Sequence, residues 1–135
     1  MSKQMIFLNL ATNDLDASKK FFNGLGYEIN AQFSDDSTAS IPLSDTIVVM
    51  VHTPQKYRQF TQKEIVDSTK SSEVLIALSA ESREKVDELV EKAVAAGGSV
   101  SGETQDHGFM YGRAFDDIDG HTFEVVWMDP AAVQG

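Results

Sequence analysis

Residues 5–27 read MIFLNLATNDLDASKKFFNGLGY, and they place a short strand directly before an amphipathic helix. Alternating and apolar side chains predict a strand over Met5–Ala11. Apolar residues then recur at helical spacing, which predicts a helix from about Asp14 to Leu25, with Asn13 as the candidate N-cap. A strand followed at once by a helix is the unit from which the rest of the fold is inferred.

The same order recurs in the second half of the chain. Apolar residues predict a strand over Val74–Ser79 and a helix from about Ser82 to Ala96, which Gly97 and Gly98 end. Three further strands are expected after each helix, at Tyr27–Phe33, Thr38–Leu43 and Thr46–His52, and then at Ser99–Ser101, Tyr111–Phe115 and His121–Met128. The pattern β-α-β-β-β therefore occurs twice, which predicts an α+β fold built by internal repetition. We expect residues 1–135 to form a single domain, with module one at about 4–60, a joint at about 54–72 and module two at about 73–130.

Composition and charge exclude several classes of protein. The 135 residues are 41% hydrophobic and 24% charged, which is typical of a globular domain. The chain contains no cysteine, and this excludes disulfides, zinc–thiolate sites and thiol catalysis. No long apolar run or signal peptide is evident, so we expect a cytoplasmic protein without a membrane partner. The formal net charge of −10 argues against a nucleic-acid partner, because phosphate binding needs clustered Lys and Arg.

Alternation along the strands separates two faces of the predicted sheets. A helix covers only one face of each sheet, so the other faces are expected to curl around a central cleft. The cleft is predicted to hold a small-molecule ligand, because it combines apolar side chains with a few polar groups. Its predicted ligand-binding residues are Phe7, Asn9, Met50, His52, Leu75, Tyr111, Arg113 and Glu124, with Val48, Ala77 and Thr122 beside them.

Two segments resemble signatures of a known superfamily. Residues 13–27, NDLDASKKFFNGLGY, are similar to its opening signature, in which a helix with an aromatic pair is followed by Leu-Gly-Tyr. Residues 115–124, FDDIDGHTFE, are similar to its closing signature, an Asp-Gly-His turn followed by a strand glutamate. The chain thus resembles the glyoxalase, bleomycin-resistance and extradiol-dioxygenase proteins (the vicinal oxygen chelate superfamily), and its strands are similar to the predicted lactoylglutathione-lyase-like subgroup. The resemblance implies two βαβββ modules that form a curled mixed sheet, and a homodimer.

The resemblance also implies where a metal would bind. Metal-dependent members hold one divalent ion with four side chains, whose equivalents here are Phe7, Leu75, Met50 or Val48, and Glu124. Only Glu124 is a ligand for such an ion. His52 shares a face with Met50 and would join it only after a change of register. We therefore expect no cofactor, with a divalent metal held by Glu124 and His52 as the less favoured alternative.

Glu124 is the best candidate for a catalytic residue, although its position also has a structural explanation. If the last hairpin pairs Asp116 with His121, Arg113 lies directly opposite Glu124 on the same face. The sequence therefore predicts a cross-strand pair that compensates the carboxylate. The three carboxylates Asp116, Asp117 and Asp119 are explained by a turn at Gly120 more simply than by calcium.

Three functions remain open. The first is a metal-free module that binds a small organic ligand, aromatic or cationic, in the cleft. The second is a metal-dependent lyase or isomerase of the lactoylglutathione-lyase type, in which an ion would polarise a carbonyl group. The third is a dimeric scaffold that binds no ligand.

Overall fold

A computed structural model describes residues 3–132, and the chain divides into two compact units. The first unit ends at Asp67 and the second begins at Ser68. Each unit contains a sheet of mixed strands and a long helix. The α+β class predicted from the sequence is therefore confirmed. No helix among the described residues combines the length and the apolar composition needed to cross a lipid bilayer.

The first unit contains three strands and two helices. These are β1 (Ile6–Ala11), α1 (Leu15–Gly24), β2 (Thr38–Pro42), β3 (Ile47–His52) and α2 (Pro54–Tyr57). In the sheet, β3 lies in the centre, parallel to β1 and antiparallel to β2. A parallel pair cannot be joined by a tight turn, so the chain has to cross over between β1 and β3. Helix α1 lies in this crossover.

Helix α1 begins one residue later than predicted. The N-cap is Asp14 and not Asn13, because the Asp14 carboxylate accepts a hydrogen bond from the backbone N–H of Ala17 at 3.0 Å. This bond satisfies one of the amide groups that the first turn of a helix leaves without a partner. Further along α1, Phe21 and Phe22 are buried and meet edge to face, with ring centroids 5.2 Å apart.

The strand predicted at Tyr27–Phe33 is not formed. Residues Ala31–Phe33 make a 3-10 turn, which Asn30 caps by accepting a hydrogen bond from the backbone N–H of Gln32 at 3.1 Å. Local bonds of this kind compete with strand pairing. The segment keeps one backbone bond to the sheet, from the N–H of Asn30 to the carbonyl oxygen of Ser40 at 2.8 Å.

Helix α1 covers one face of the first sheet. Leu10, Ile41, Val49 and Val51 share this face through their cross-strand pairing and are buried. Together with the aromatic pair of α1 they form the core of the unit. The opposite face carries the polar and apolar residues that the sequence assigns to a ligand site.

The second unit repeats this plan with more strands. Its elements are β4 (Ile76–Ser79), α3 (Arg83–Ala95), β5 (Ser99–Val100), β6 (Gln105–Asp106), β7 (Met110–Asp116) and β8 (Thr122–Met128). The strands follow the order β4-β8-β7-β5, and β6 also pairs with β7. As in the first unit, the strand before the long helix runs parallel to the last strand. The internal repeat is therefore present in the topology of both units.

Helix α3 covers one face of the second sheet. Its N-cap is Ser82, whose hydroxyl accepts a hydrogen bond from the backbone N–H of Lys85 at 3.1 Å. The core between α3 and the sheet consists of buried apolar side chains: Val86, Val90, Ala93, Phe115, Phe123 and Val125. Two of them, Phe115 and Phe123, are direct cross-strand neighbours, and their rings stack with centroids 5.3 Å apart.

Candidate functional site

The uncovered face of the first sheet carries four of the predicted ligand-binding residues. Phe7 and Asn9 alternate along β1, and Met50 and His52 alternate along β3. Asn9 is the direct neighbour of Met50, so all four side chains belong to one face. Phe7 is 56% exposed although it lies within a strand. This surface, defined by Phe7, Asn9, Met50 and His52, is called the open face of unit one.

His52 is the most buried polar side chain of this face, with only 2% of its surface exposed. Its Nδ1 lies 2.8 Å from the hydroxyl of Thr38, its neighbour on β2. Its Nε2 lies 2.7 Å from the side-chain oxygen of Asn9. Both nitrogens of the imidazole are therefore hydrogen-bonded, as a buried polar group requires. The sequence placed His52 and Asn9 on this face but did not identify Thr38 as their partner.

The segment after β3 folds back over His52. The imidazole lies 5.0 Å from the ring of Phe60 and 6.5 Å from that of Tyr57, measured between centroids. Burial lowers the pKa of His52, and the nearby charge of Lys56 lowers this pKa further, against the weaker opposing effect of Asp35. The imidazole is therefore neutral at neutral pH.

The hairpin between β7 and β8 differs by one residue from the register predicted. Asp116 pairs with Thr122, and consequently Ala114 pairs with Glu124. The predicted Arg113–Glu124 pair is wrong, because Arg113 is the neighbour of Val125. A register shift of one residue moves a side chain to the opposite face of a sheet.

The length of the turn causes this shift. The backbone N–H of Asp117 donates to the carbonyl oxygen of His121 at 2.9 Å, so the two residues close the loop together. The carboxylate of Asp117 also accepts the backbone N–H groups of Asp119 and His121, each at 2.9 Å. The prediction assumed a loop one residue shorter, and the side chain of Asp117 stabilises the longer one.

Tyr111 and Arg113 consequently lie on the face that α3 covers, in contrast to the prediction that they line a cleft. The hydroxyl of Tyr111 donates to Asp87 of α3 at 2.7 Å, and the guanidinium of Arg113 forms an ion pair with the same carboxylate at 3.0 Å. The hydrogen bond from Tyr111 lowers the pKa of Asp87, and Arg113 contributes in the same direction. Arg113 is thus partnered by the helix and not by Glu124.

Glu124 lies on the uncovered face of the second sheet. Its direct neighbours are Ala77 on β4 and Ala114 on β7, and the side chain is half-buried. Within residues 3–132 its carboxylate forms no ion pair. Leu75, which precedes β4 and is 59% exposed, was predicted to share this face.

The residues present do not match the family's metal site. Phe7, Met50 and Leu75 offer a phenyl ring, a thioether and an aliphatic side chain at positions where the resemblance implies ligands, and such groups do not hold a hard or borderline divalent ion. His52 does not replace them, because both of its nitrogens are engaged with Thr38 and Asn9. Glu124 is the remaining ligand of the set.

A second group of potential ligands lies in the β7–β8 turn. Atoms of Asp117, Asp119 and His121 lie within 4.8 Å of one another. Nδ1 of His121 lies 2.7 Å from the carboxylate of Asp117, whose other oxygen accepts the two turn amides. Burial lowers the pKa of His121, but the hydrogen bond and charge of Asp117, together with the other turn carboxylates, outweigh this effect and raise the pKa. These contacts form the turn that the sequence predicts here.

Sequence reasoning missed a cluster around Arg83. The guanidinium lies 5.0 Å from the ring centroid of Tyr111 and 5.3 Å from that of Trp127. It also forms two hydrogen bonds to Asp106, at 2.8 and 2.9 Å, and one to the carbonyl oxygen of Gly108 at 2.9 Å. One signal was available, because Arg83 and Asp87 are one helical turn apart beside the apolar stripe of α3. Their partners are 23 or more residues away in the chain and have no local signal.

Comparison with protein families gives one match over most of the chain. The model of the Glyoxalase/Bleomycin resistance protein/Dioxygenase superfamily matches residues 4–125. This range includes the long helix of both units and the carboxylate of Glu124. No protein with a curated description matches the chain.

Solved structures resemble the chain over nearly their whole length. A hypothetical protein from S. aureus is 31% identical, with a TM-score of 0.77, and each chain covers 94% of the other. A lactoylglutathione lyase from Agrobacterium tumefaciens is 16% identical, with a TM-score of 0.68, and the match covers 94% of this chain and 95% of that one. A fosfomycin resistance protein from Mesorhizobium loti is 15% identical, with a TM-score of 0.69 and 98% of both chains covered. At such low identity the last two show a common fold and not a common activity.

Proposed function

The chain belongs to the Glyoxalase/Bleomycin resistance protein/Dioxygenase superfamily, and we propose that it binds a small organic ligand against an uncovered face of a sheet. The ligand is held by apolar contact and a few polar groups, without the divalent ion that metal-dependent members use. Binding sites for small molecules commonly have this composition.

The observation that carries this proposal is the character of the side chains on the open faces. At the positions equivalent to metal ligands the chain has Phe7, Met50 and Leu75. Phe7 and Leu75 are more than half exposed. Exposed apolar side chains within or beside strands favour contact with an apolar body. The loss of metal ligands at these positions counts against a metal-dependent lyase or isomerase.

Glu124 is the charged group on the uncovered face of the second sheet. Glu124 is half-buried, with an alanine as its direct neighbour on each adjacent strand, and a ligand atom is proposed to approach its carboxylate on this face. The net charge of −10 favours ligands that are neutral or cationic. We therefore propose an aromatic compound, neutral or basic, as the class of ligand.

Metal analysis of the purified protein is the first test. We expect substoichiometric Ni, Zn, Fe and Mn, with contents that Glu124→Ala leaves unchanged. One tightly bound ion per chain that Glu124→Ala abolishes would instead support the metal-dependent alternative.

A thermal-shift screen with aromatic metabolites, thiol conjugates and basic glycopeptides is the second test. A ligand at 100 times its Kd adds about 2.7 kcal/mol to the free energy of unfolding. We expect a hit whose shift falls in Phe7→Ala but persists in Phe33→Ala. Phe33 is a matched control, because it is 61% exposed but lies in the 3-10 turn and not in the sheet. A flat response to the whole library would favour a scaffold without ligand.

A further inference from the structure

Three side chains form a continuous hydrogen-bonded line across the sheet of unit one. Thr38 on β2 contacts His52 on β3, and His52 contacts Asn9 on β1. Thr38 and His52 are buried, whereas Asn9 is exposed. The line therefore begins inside the unit and ends at the surface of the open face.

The Asn9 atom that faces His52 determines the direction of both hydrogen bonds. The atom of Asn9 that faces the ring is its carbonyl oxygen, which only accepts. Nε2 of His52 must then carry the hydrogen and donate it. In a neutral imidazole the other nitrogen is an acceptor, so Nδ1 accepts from the hydroxyl of Thr38. The Asn9 oxygen thereby selects the Nε2–H tautomer of His52, and the Thr38 hydroxyl, which can donate or accept, satisfies the remaining nitrogen.

This orientation leaves the amide nitrogen of Asn9 facing away from His52. Among the described residues, no side chain or backbone carbonyl accepts a hydrogen bond from this nitrogen. Asparagine is depleted within strands, yet Asn9 lies in the middle of β1 beside Met50, with Phe7 two residues before it. The open face of unit one thus offers two N–H donors next to apolar groups.

We infer that Asn9, held by Thr38 and His52, is the hydrogen-bond donor that selects a ligand with a carbonyl oxygen beside an apolar body. This inference rests on the proposed function and specifies the ligand chemistry of the same face. A neutral carbonyl compound fits better than a carboxylate, because the net charge of −10 repels anions. Asn9 is the ligand-binding residue, and Thr38 and His52 are positioning residues.

The tautomer of His52 is the first test and needs no ligand. The chain has three histidines, so imidazole ¹⁵N chemical shifts are readily assigned to each. We expect His52 in the Nε2–H form in the wild type, and a loss of this preference in Asn9→Ala, which removes the oxygen that accepts from Nε2–H. A wild-type His52 in the Nδ1–H form would overturn the inference, because Asn9 would then present its oxygen to the open face.

Binding of two small probes is the second test. Acetophenone carries a carbonyl oxygen, and ethylbenzene has a similar apolar body without it. One net hydrogen bond corresponds to a preference of about fivefold for acetophenone, followed in every variant through the backbone amide signals of Phe7 and Met50. Asn9→Asp keeps an acceptor for His52 but removes the donors, so we expect the preference to disappear. Asn23→Asp, which adds the same charge on an exposed position of α1, should retain it.

The outcomes separate this inference from the proposed function. Equal binding of both probes, with shifts at Phe7 and Met50, would overturn the role of Asn9 but leave ligand binding at this face intact. A preference for acetophenone that survives in Asn9→Asp with the His52 tautomer unchanged would also overturn the inference. If neither probe shifts any signal up to its solubility limit, the inference fails, while the thermal-shift screen decides the proposed function separately.

Discussion

His52 and His121 are both hydrogen-bonded, but their surroundings move their pKa values in opposite directions. Burial and Lys56 lower the pKa of His52. For His121, burial acts in the same direction but is outweighed by the hydrogen bond and charge of Asp117. The two residues should therefore contribute to stability with opposite dependence on pH.

For His52 we predict that acid removes part of the folding free energy. In the unfolded chain the His52 imidazole binds a proton near pH 6.5, whereas in the folded chain it does so only at lower pH. The stability advantage of the wild type over His52→Gln should therefore narrow as the pH falls through about 6.5. Urea denaturation of both proteins between pH 7.5 and 5 measures this difference. An advantage that stays constant or widens on acidification would contradict the assignment.

For His121 we predict the reverse. Its folded pKa is raised, so the stabilisation is fully present below about pH 6.5 and disappears as the pH rises through the folded pKa. The wild type should exceed His121→Gln by more at pH 6 than at pH 9, measured by the same method. Asp117→Asn should remove most of this pH dependence, because it removes the charge that holds the imidazolium. A larger advantage at pH 9 would refute the role of Asp117.

Among the elements, the β7–β8 hairpin depends on a glycine. Gly120 has φ of +91°, and a Cβ added there would lie 2.7 Å from the carbonyl oxygen of Ser68. We predict that Gly120→Ala costs about 2 kcal/mol or more of unfolding free energy, since positive φ alone costs about 1 kcal/mol. Gly102→Ala is the control, because Gly102 also has positive φ but no neighbour within 4 Å. Equal losses in the two variants would show that the contact with Ser68 is unimportant.

The β6–β7 segment is attached to α3 by the guanidinium of Arg83. The planar group binds Asp106 through two nitrogens and lies over the rings of Tyr111 and Trp127, a geometry that a thioether does not reproduce. We predict that Arg83→Met accelerates hydrogen exchange and proteolysis at residues 105–108. Lys85→Met, which removes an exposed ion pair with Glu88 on the same helix, should leave these rates near the wild-type values. Protection that is unchanged in Arg83→Met would contradict the attachment.

For the whole molecule we predict a homodimer, as the family resemblance implies. Apolar side chains outside the proposed ligand-binding residues that remain exposed in both units support this, with Ile6 in the first and Val74 in the second. Light scattering after size-exclusion chromatography should give twice the chain mass of 14.8 kDa. A mass of one chain at micromolar concentration would contradict the prediction.

Periodicity along the sequence was sufficient to predict much of the fold. Apolar spacing located both long helices to within a residue or two, and alternation placed Phe7, Asn9, Met50 and His52 on one face of a sheet. Such patterns are local, because a strand or helix exposes its faces at fixed intervals. The strand and helix pattern also predicted the internal repeat, and the family signatures at both ends of the chain added the superfamily. The strand predicted at Tyr27–Phe33 does not form, because a local hydrogen bond to the Asn30 side chain stabilises a turn there.

Only the tertiary structure decided how the polar side chains are partnered. Arg113 was expected beside Glu124, but one additional residue in the Asp117 turn moves it to the other face and to Asp87. The partners of His52 lie 14 and 43 residues away in the chain. Strand periodicity determines the face on which a side chain lies, but register and long-range contacts depend on turn lengths and packing. The sequence by itself therefore determined the class of fold and which residues share the open face of unit one. The folded chain determined which polar groups contact one another there.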